Sequence, residues 1–162
     1  MTRTLQQLVD LHGKTALVTG GSRGLGLQLA HALGEAGARV LITSRKASDL
    51  EQAAAELKAA GISADWMAAD CGDPEDIARL GAESIQRLGQ VDILVNNAGA
   101  AWGSPAEDHP LEAWDKVMNL NIRGYFLLSQ NSGTHTMIPR RRASSCNMAS
   151  NPGRGANPKA IQ

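Results

Sequence analysis

The feature that most constrains this chain is a glycine cluster, Thr19-Gly20-Gly21-Ser22-Arg23-Gly24-Leu25-Gly26, set between two segments of different periodicity. Upstream, Thr15-Ala-Leu-Val-Thr19 is a short, apolar, partly β-branched run. Downstream, Leu25, Leu29 and Leu33 recur at helical spacing. That order predicts a strand, a tight turn and a helix. Glycines at such a turn let the backbone come close to a ligand, and the free N–H groups of a helix N-terminus favour an anion. Gly20, Ser22, Arg23, Gly24, Leu25 and Gly26 are therefore expected to cradle a pyrophosphate, although Thr-Gly-x-x-x-Gly-x-Gly differs from the common Gly-x-Gly-x-x-Gly fingerprint.

The alternation continues along the chain. Arg39-Val-Leu-Ile-Thr43 reads as a strand buried on both faces. Ser48, with Glu51 three residues on, reads as a capping box opening an alanine-rich helix that Gly61 stops. Ile62 to Ala69 is expected to be a third strand. Asp73-Pro74 then caps and starts a helix whose buried stripe is Ile77, Leu80, Ile85 and Leu88, and Val91 to Val95 is a fourth strand. This βαβαβαβ order predicts an α/β fold: a doubly wound parallel sheet of the Rossmann type, with helices on both faces and right-handed crossovers.

The later part of the chain is less regular. A long helix is expected from about Pro110 to Ser129, with Leu111, Trp114, Val117, Met118 and Ile122 as its apolar face. Asn131-Ser-Gly-Thr134 is expected to break it. Arg140 to Arg142 reads as a solvated charge run, Ser144-Ser-Cys-Asn-Met-Ala149 as a fifth strand of poor propensity, and Asn151 to Pro158 as loop. The expected division is a lead-in over 1–12, a dinucleotide-binding domain over 13–130 and an irregular end over 131–162, the sheet being truncated after its fifth strand.

Sixteen Lys and Arg balance sixteen Asp and Glu, which argues against a basic face for nucleic acid or an acidic membrane. With 3% aromatic residues there are few rings on which bases can stack. No stretch approaches the roughly 20 apolar residues of a membrane span, and polar residues interrupt the first ten positions before a leader-like core develops. Cys71 and Cys146 form no Cys-x-x-Cys, so a reducing compartment and a cytoplasmic location are expected. His12, His31, His109 and His135 show no ligand spacing, and no metal is expected.

The residues closing the second strand point to the cofactor. A carboxylate there would bind a ribose 2′-hydroxyl and repel a 2′-phosphate, but the chain carries Thr43-Ser44-Arg45. With Arg23 in the glycine loop, Arg45 supplies a second guanidinium for a 2′-phosphate, so Ser44 and Arg45 join the cofactor set and NADP(H) is the expected cofactor.

The glycine motif, Asp70 after the third strand and Asn96-Asn97-Ala98-Gly99 after the fourth together resemble the short-chain dehydrogenases/reductases, in the family's order from about Gly13 to Gln130. The lead-in Leu11 to Thr19 and the loop Asn96 to Gly103 resemble bacterial 3-oxoacyl carrier-protein reductases and gluconate 5-dehydrogenases. The resemblance implies an NADP(H)-dependent oxidoreductase that moves hydride between nicotinamide and a ketone or secondary alcohol, acting as a homo-oligomer that pairs through the long helix. It implies that Asp70 meets the adenine amino group; a helix-capping carboxylate is the other reading. Cys71, beside it, falls in the same cofactor set, though as a thiol it reads as a small buried hydrophobe. Asn97, Ala98 and Gly99 are implied to line the adenosine ribose. Asn121 matches an asparagine that holds water in the family's proton relay, with an ordinary mid-helix amide as the alternative.

The family mechanism also needs a tyrosine, a lysine four residues later and a serine. Ser150 matches the serine. The sole tyrosine, Tyr125, is followed at the fourth position by Ser129 and reads as packing, and Lys159 has no tyrosine before it. A catalytically silent nucleotide-binding or interaction module is therefore the alternative function. Trp102 reads either as a substrate-pocket wall near the nicotinamide or as an exposed loop or oligomer contact.

Overall fold

β1 (Thr15–Thr19) is buried along its whole length because a strand lies on each side of it and helices cover both faces. Leu17 sits opposite Leu41 of β2 (Arg39–Ser44) and Leu94 of β4 (Ile93–Asn96). β3 (Ala64–Ala68) flanks β2, and β6 (Ser144–Asn147) flanks β4, so the parallel order is β3-β2-β1-β4-β6. A computed structural model describes residues 4, 7, 9–142 and 144–149, and the backbone of 160–161. Ser150, the loop expected over 151–158, Lys159 and most of 1–8 lie outside the described residues.

Strand alternation divides the core into two layers. Leu17, Leu41, Met67 and Leu94 point to one face, where α3 (Pro74–Leu88) supplies Ile77, Leu80 and Leu88 and α5 (Tyr125–Ser132) supplies Leu128. Val18, Val40, Ile42 and Val95 point to the other, where α1 (Gly24–Glu35) and α2 (Ala47–Ala59) pack through Ala30, Leu50, Ala53, Ala54 and Leu57. Each fully buried Leu or Val contributes roughly 1.5–3 kcal/mol relative to exposure. The doubly wound α/β sheet expected from the sequence is the fold observed.

Several local expectations are corrected. In α1 Gly26 and Ala30 are buried and Leu29 and Leu33 pack against the core beside them, whereas Leu25 is exposed. α2 begins at Ala47 with Lys46 as its unbonded cap, and the Ser48 hydroxyl meets the Asp49 carboxylate instead of forming a capping box. The Asp73 cap forms as expected: its carboxylate accepts from Glu75 N at 3.0 Å, with Pro74 in the first turn.

The long helix does not stop at Asn131. α4 (Leu111–Met118) passes through a π-helical stretch, Asn119–Gly124, into α5, then through a second π stretch, Gly133–Met137, into α6 (Ile138–Arg140). Tertiary packing overrides the polar sequence here: Ser132 and Thr136 are buried, and the Thr136 hydroxyl bonds Ser132 O at 2.8 Å and Val91 O at 3.2 Å. Its apolar face is also rotated from expectation. Ala113 and Val117 face inward, while Leu111, Trp114, Ile122 and Phe126 are exposed. A second, two-stranded sheet pairs β5 (Trp102–Gly103) antiparallel with β7 (Ala160–Ile161).

Candidate functional site

The strand order reverses between β1 and β4, and an open parallel sheet leaves a crevice at the carboxyl ends of such a pair. The glycine turn follows β1, and Asn96-Asn97-Ala98-Gly99 follows β4. The two turns are bonded together. Thr19 is buried; its Oγ1 accepts from the N–H groups of Asn97 and Ala98, both at 2.9 Å, and donates to Val95 O at 3.3 Å. The Asn97 side chain donates to Thr19 O at 3.0 Å and Gly20 O at 3.3 Å.

Two glycines make this junction possible. Gly20 has φ +65°, and a Cβ there would lie 2.9 Å from Asn97 Nδ2 and 3.0 Å from Ala98 Cα. A Cβ on Gly26 would run into the Gly20 carbonyl. The loop thus lies tightly against the helix start; its Gly21 N–H donates to Thr43 O at 3.1 Å, and the first N–H groups of α1 have no partner within the helix.

The crevice holds a cavity of about 720 Å³, lined by Gly20, Ser22, Arg23, Gly24, Ser44, Arg45, Asp70, Cys71, Asn97, Ala98 and Gly99 among others. Of the expected cofactor residues, only Leu25 and Gly26 do not line it: Leu25 is exposed, and Gly26 supports the loop from behind. The wall also contains Lys46 and Asp49, which sequence reasoning missed. The signal for Lys46 was its place directly after Arg45, where a lone charge reads as ordinary surface. Among the described residues, Arg23, Arg45 and Lys46 make no ion pair within 4.0 Å, so three cations without a direct carboxylate contact share one cavity with Asp49 and Asp70.

Asp70 is held at the end of β3, its Oδ1 accepting from Gly72 N at 2.8 Å. Cys71 next to it is buried, and burial, with the charges of Asp70 and Asp76, pushes its thiol up to about 12. It is inert wall, not a nucleophile.

A second cavity of about 820 Å³ opens beyond Gly99, lined by Asn121, Tyr125, Ser129, Asn147 and Met148 with Val117, Met118 and Ile122. Asn121 lies in the first π stretch, and its carboxamide closes on one residue: Oδ1 accepts from Ala100 N at 2.9 Å, and Nδ2 donates to Ala100 O at 2.8 Å. It fixes the loop after Gly99 directly. Tyr125 is more than packing. Its phenol donates to Met148 O at 3.3 Å inside this cavity, and burial raises its pKa, with a smaller contribution from Cys71. Beneath them, buried Asn96 donates to Ser129 Oγ at 3.0 Å and Asn147 Oδ1 at 2.8 Å, tying β4 to α5 and β6.

Trp102 lies elsewhere. It lines a smaller cavity of about 400 Å³ with Arg45, Asp70 and Lys116, whose ammonium sits 5.8 Å from the indole centroid. Among the described residues, no three His, Cys, Asp or Glu converge as a metal set. No described helix is long and apolar enough to cross a membrane.

The comparisons agree with this geometry. The family model of the short chain dehydrogenases matches residues 14–161. The chain is 39% identical over 144 residues to gluconate 5-dehydrogenase of Gluconobacter oxydans, covering 88% of this chain and 56% of that protein. It is 40% identical over 148 residues to the rhamnolipids biosynthesis 3-oxoacyl-[acyl-carrier-protein] reductase of Pseudomonas aeruginosa, covering 91% and 55%. It therefore spans about half the length of these relatives. A metagenomic short-chain oxidoreductase solved in complex with NADP superposes with a TM-score of 0.85 at 34% identity, covering 91% of this chain and 67% of that one. The sequence match and the two bonded turns lead to one conclusion: the chain belongs to the short chain dehydrogenase family.

Proposed function

We propose that the chain is the NADP(H)-binding part of an oxidoreductase acting on ketones or secondary alcohols. The observation that carries this reading is the cavity in which Arg23, Arg45 and Lys46, with no ion pair among the described residues, stand beside the glycine turn at the start of α1. A 2′-phosphate supplies the anion those cations lack, and a pyrophosphate suits the start of α1. Asp70 then accepts from the adenine amino group, and Asn97, Ala98 and Gly99 line the adenosine ribose. The metagenomic neighbour bound to NADP supports the choice of nucleotide.

When bound, the nicotinamide supplies or accepts the hydride. The residues of this chain bind and orient. Asn121 holds the Ala100 loop at the edge of the second cavity, where a small carbonyl or alcohol substrate is placed, and Ser150 is assigned the substrate-orienting role. Proton transfer needs a positioned acid, and Tyr125 is committed to Met148 O with Ser129 at the fourth position after it. That commitment favours a second reading, a nucleotide-binding module without turnover. Exposed Leu111, Trp114, Ile122 and Phe126 on one helix support self-association, and the two free thiols support the cytoplasm as the site of action.

The test is a fluorescence titration of the chain with NADPH and NADH, followed by an NADPH-oxidation assay over a panel of ketones that includes 3-oxoacyl thioesters. Tight NADPH binding supports the nucleotide assignment, and absence of binding overturns it. Turnover separates the two readings.

A further inference from the structure

The cofactor cavity and the substrate-side cavity do not account for a compact ion-pair cluster behind the end of β3. Asp76, in the first turn of α3, accepts the Asp70 backbone N–H on Oδ2 at 2.8 Å. Its other oxygen, Oδ1, takes Arg79 Nη2 at 2.6 Å and Nε at 3.2 Å. The same Arg79 Nη2 donates to Ala68 O at 3.0 Å, two residues before Asp70. Two side chains one helical turn apart thus grip the backbone on both sides of Ala69.

The gripped residue faces a ligand space. Asp70 lines both the cofactor cavity and the adjoining cavity of Trp102 and Lys116. Its Oδ1 is taken by Gly72 N–H, and among the described residues no protein group bonds Oδ2. A carboxylate is an acceptor only. Placed against the edge of a purine, it favours a base that offers an amino group and disfavours one that offers a carbonyl at the same position. That selectivity depends on where the oxygen sits, because a hydrogen bond weakens steeply with misalignment.

We infer that Asp76 and Arg79 are positioning residues for base recognition by Asp70, making the cavity selective for adenine over hypoxanthine nucleotides. The inference rests on the nucleotide-binding reading above. The bond from Asp70 N–H, followed by the pairing with Arg79, holds the Asp76 carboxyl below the usual carboxylate range, so the grip persists through neutral pH.

The experiment compares affinities of the chain for NADPH and for reduced nicotinamide hypoxanthine dinucleotide phosphate, which differ only at the base. The wild type is expected to favour NADPH by roughly tenfold, the worth of one well-placed hydrogen bond to a charged group. Asp76→Ala is expected to bring the ratio to about threefold or less, largely by weakening NADPH binding. Asp76→Asn keeps an acceptor for the Asp70 N–H and is expected to restore most of it. A merely structural role would lower both affinities together and leave the ratio alone. An unchanged ratio in folded Asp76→Ala overturns the inference, as does a wild type that binds NADPH without discriminating. If Asp76→Ala does not fold, as judged by circular dichroism, Arg79→Met decides: a lowered ratio supports the grip, and an unchanged one overturns it. A wild type that binds neither nucleotide removes the nucleotide reading itself, an outcome distinct from NADPH binding without base selectivity.

Discussion

Thr19 and Asn97 exchange hydrogen bonds through side chain and backbone at once: the Thr19 hydroxyl accepts the Asn97 N–H at 2.9 Å, and the Asn97 carboxamide donates to the Thr19 carbonyl at 3.0 Å. The same hydroxyl also accepts from Ala98 N, so one oxygen serves two N–H groups of the turn after β4. Thr19→Val keeps the shape and leaves both donors without a partner. It is expected to cost about 2–4 kcal/mol of stability, since each orphaned buried group costs about 1–3 kcal/mol. Chemical denaturation measures this directly, and a loss under about 1 kcal/mol would show that the junction is not held by this oxygen.

The three cations of the cofactor cavity should set nucleotide preference. The wild type is expected to bind NADPH at least about tenfold more tightly than NADH, given roughly 1.5–3 kcal/mol per charge-assisted contact. Arg45→Asp should reverse the order by repelling the phosphate and offering an acceptor to a ribose hydroxyl. Lys46→Ala should lower the ratio severalfold, and Asp49→Asn should raise NADPH affinity. Calorimetric titration of the four proteins reads all of these effects, and equal affinities of the wild type for both nucleotides would remove the phosphate assignment.

Acid should loosen the N-terminal end of the sheet through Asp92. Burial disfavours its charge, but bonds from Gln90 Nε2, Thr15 N and Thr15 Oγ1, with Lys14 at 3.9 Å, outweigh burial and hold its carboxyl below the usual range. A group whose folded pKa is depressed stabilises above the unfolded value, about 3.9, and loses that contribution as pH falls through the folded value. Asp92→Asn is expected to cost about 1–3 kcal/mol at pH 7 and to show a shallower loss of stability below pH 4. Parallel curves for wild type and variant across pH 2–5 would count against this role.

Thiol chemistry should divide the two cysteines. Cys146 is exposed on β6, whereas Cys71 is buried with its thiol pushed up to about 12. Burial thus keeps Cys71 in the thiol form at pH 8, and the thiolate is the reactive form. A chromogenic disulfide reagent should modify one thiol per native chain quickly and the second only after denaturation. Rapid release of two equivalents from the native protein would contradict the burial of Cys71.

The outward apolar residues of α4 and its continuation should drive self-association. Trp114→Glu combined with Phe126→Glu is expected to lower the sedimentation coefficient at micromolar concentration and leave the circular dichroism spectrum unchanged. A wild type that stays monomeric at such concentrations would leave that face without a partner.

The sequence was most legible where one physical term dominated. β1 and β2 were plain because strands buried on both faces must be apolar throughout, and Asp73-Pro74 was plain because a cap and a first-turn proline are local signals. The face of α1 was legible in part: Leu29 and Leu33 pack against the core, but the most buried positions, Gly26 and Ala30, are small residues that no apolar stripe marks. Nor was the continuation of the long helix through Asn131 and Gly133, where contacts with α3 outweigh local preference. At the site, the glycine turn, Arg45 and Asn97 were readable as motif positions. The Lys46 contribution, the Ala100 clamp of Asn121 and the Tyr125 bond to Met148 depend on approaches between distant segments that no local pattern encodes.

The π-helical stretches of the long helix have a metrical consequence. Gly124, Leu128, Ser132 and Thr136 are all buried and fall at strict intervals of four. In a uniform α-helix of 3.6 residues per turn, a four-residue beat drifts by about 40° per step and spirals off the contact face. The π stretch Gly133–Met137 takes up part of that drift at the last step, from Ser132 to Thr136, while Gly124 to Ser132 runs through the α-helical Tyr125–Ser132. Length is thereby locked to phase: deleting one residue between Gly124 and Thr136 would swing every later side chain by about 100° and break the alignment that brings Thr136 to the Val91 carbonyl.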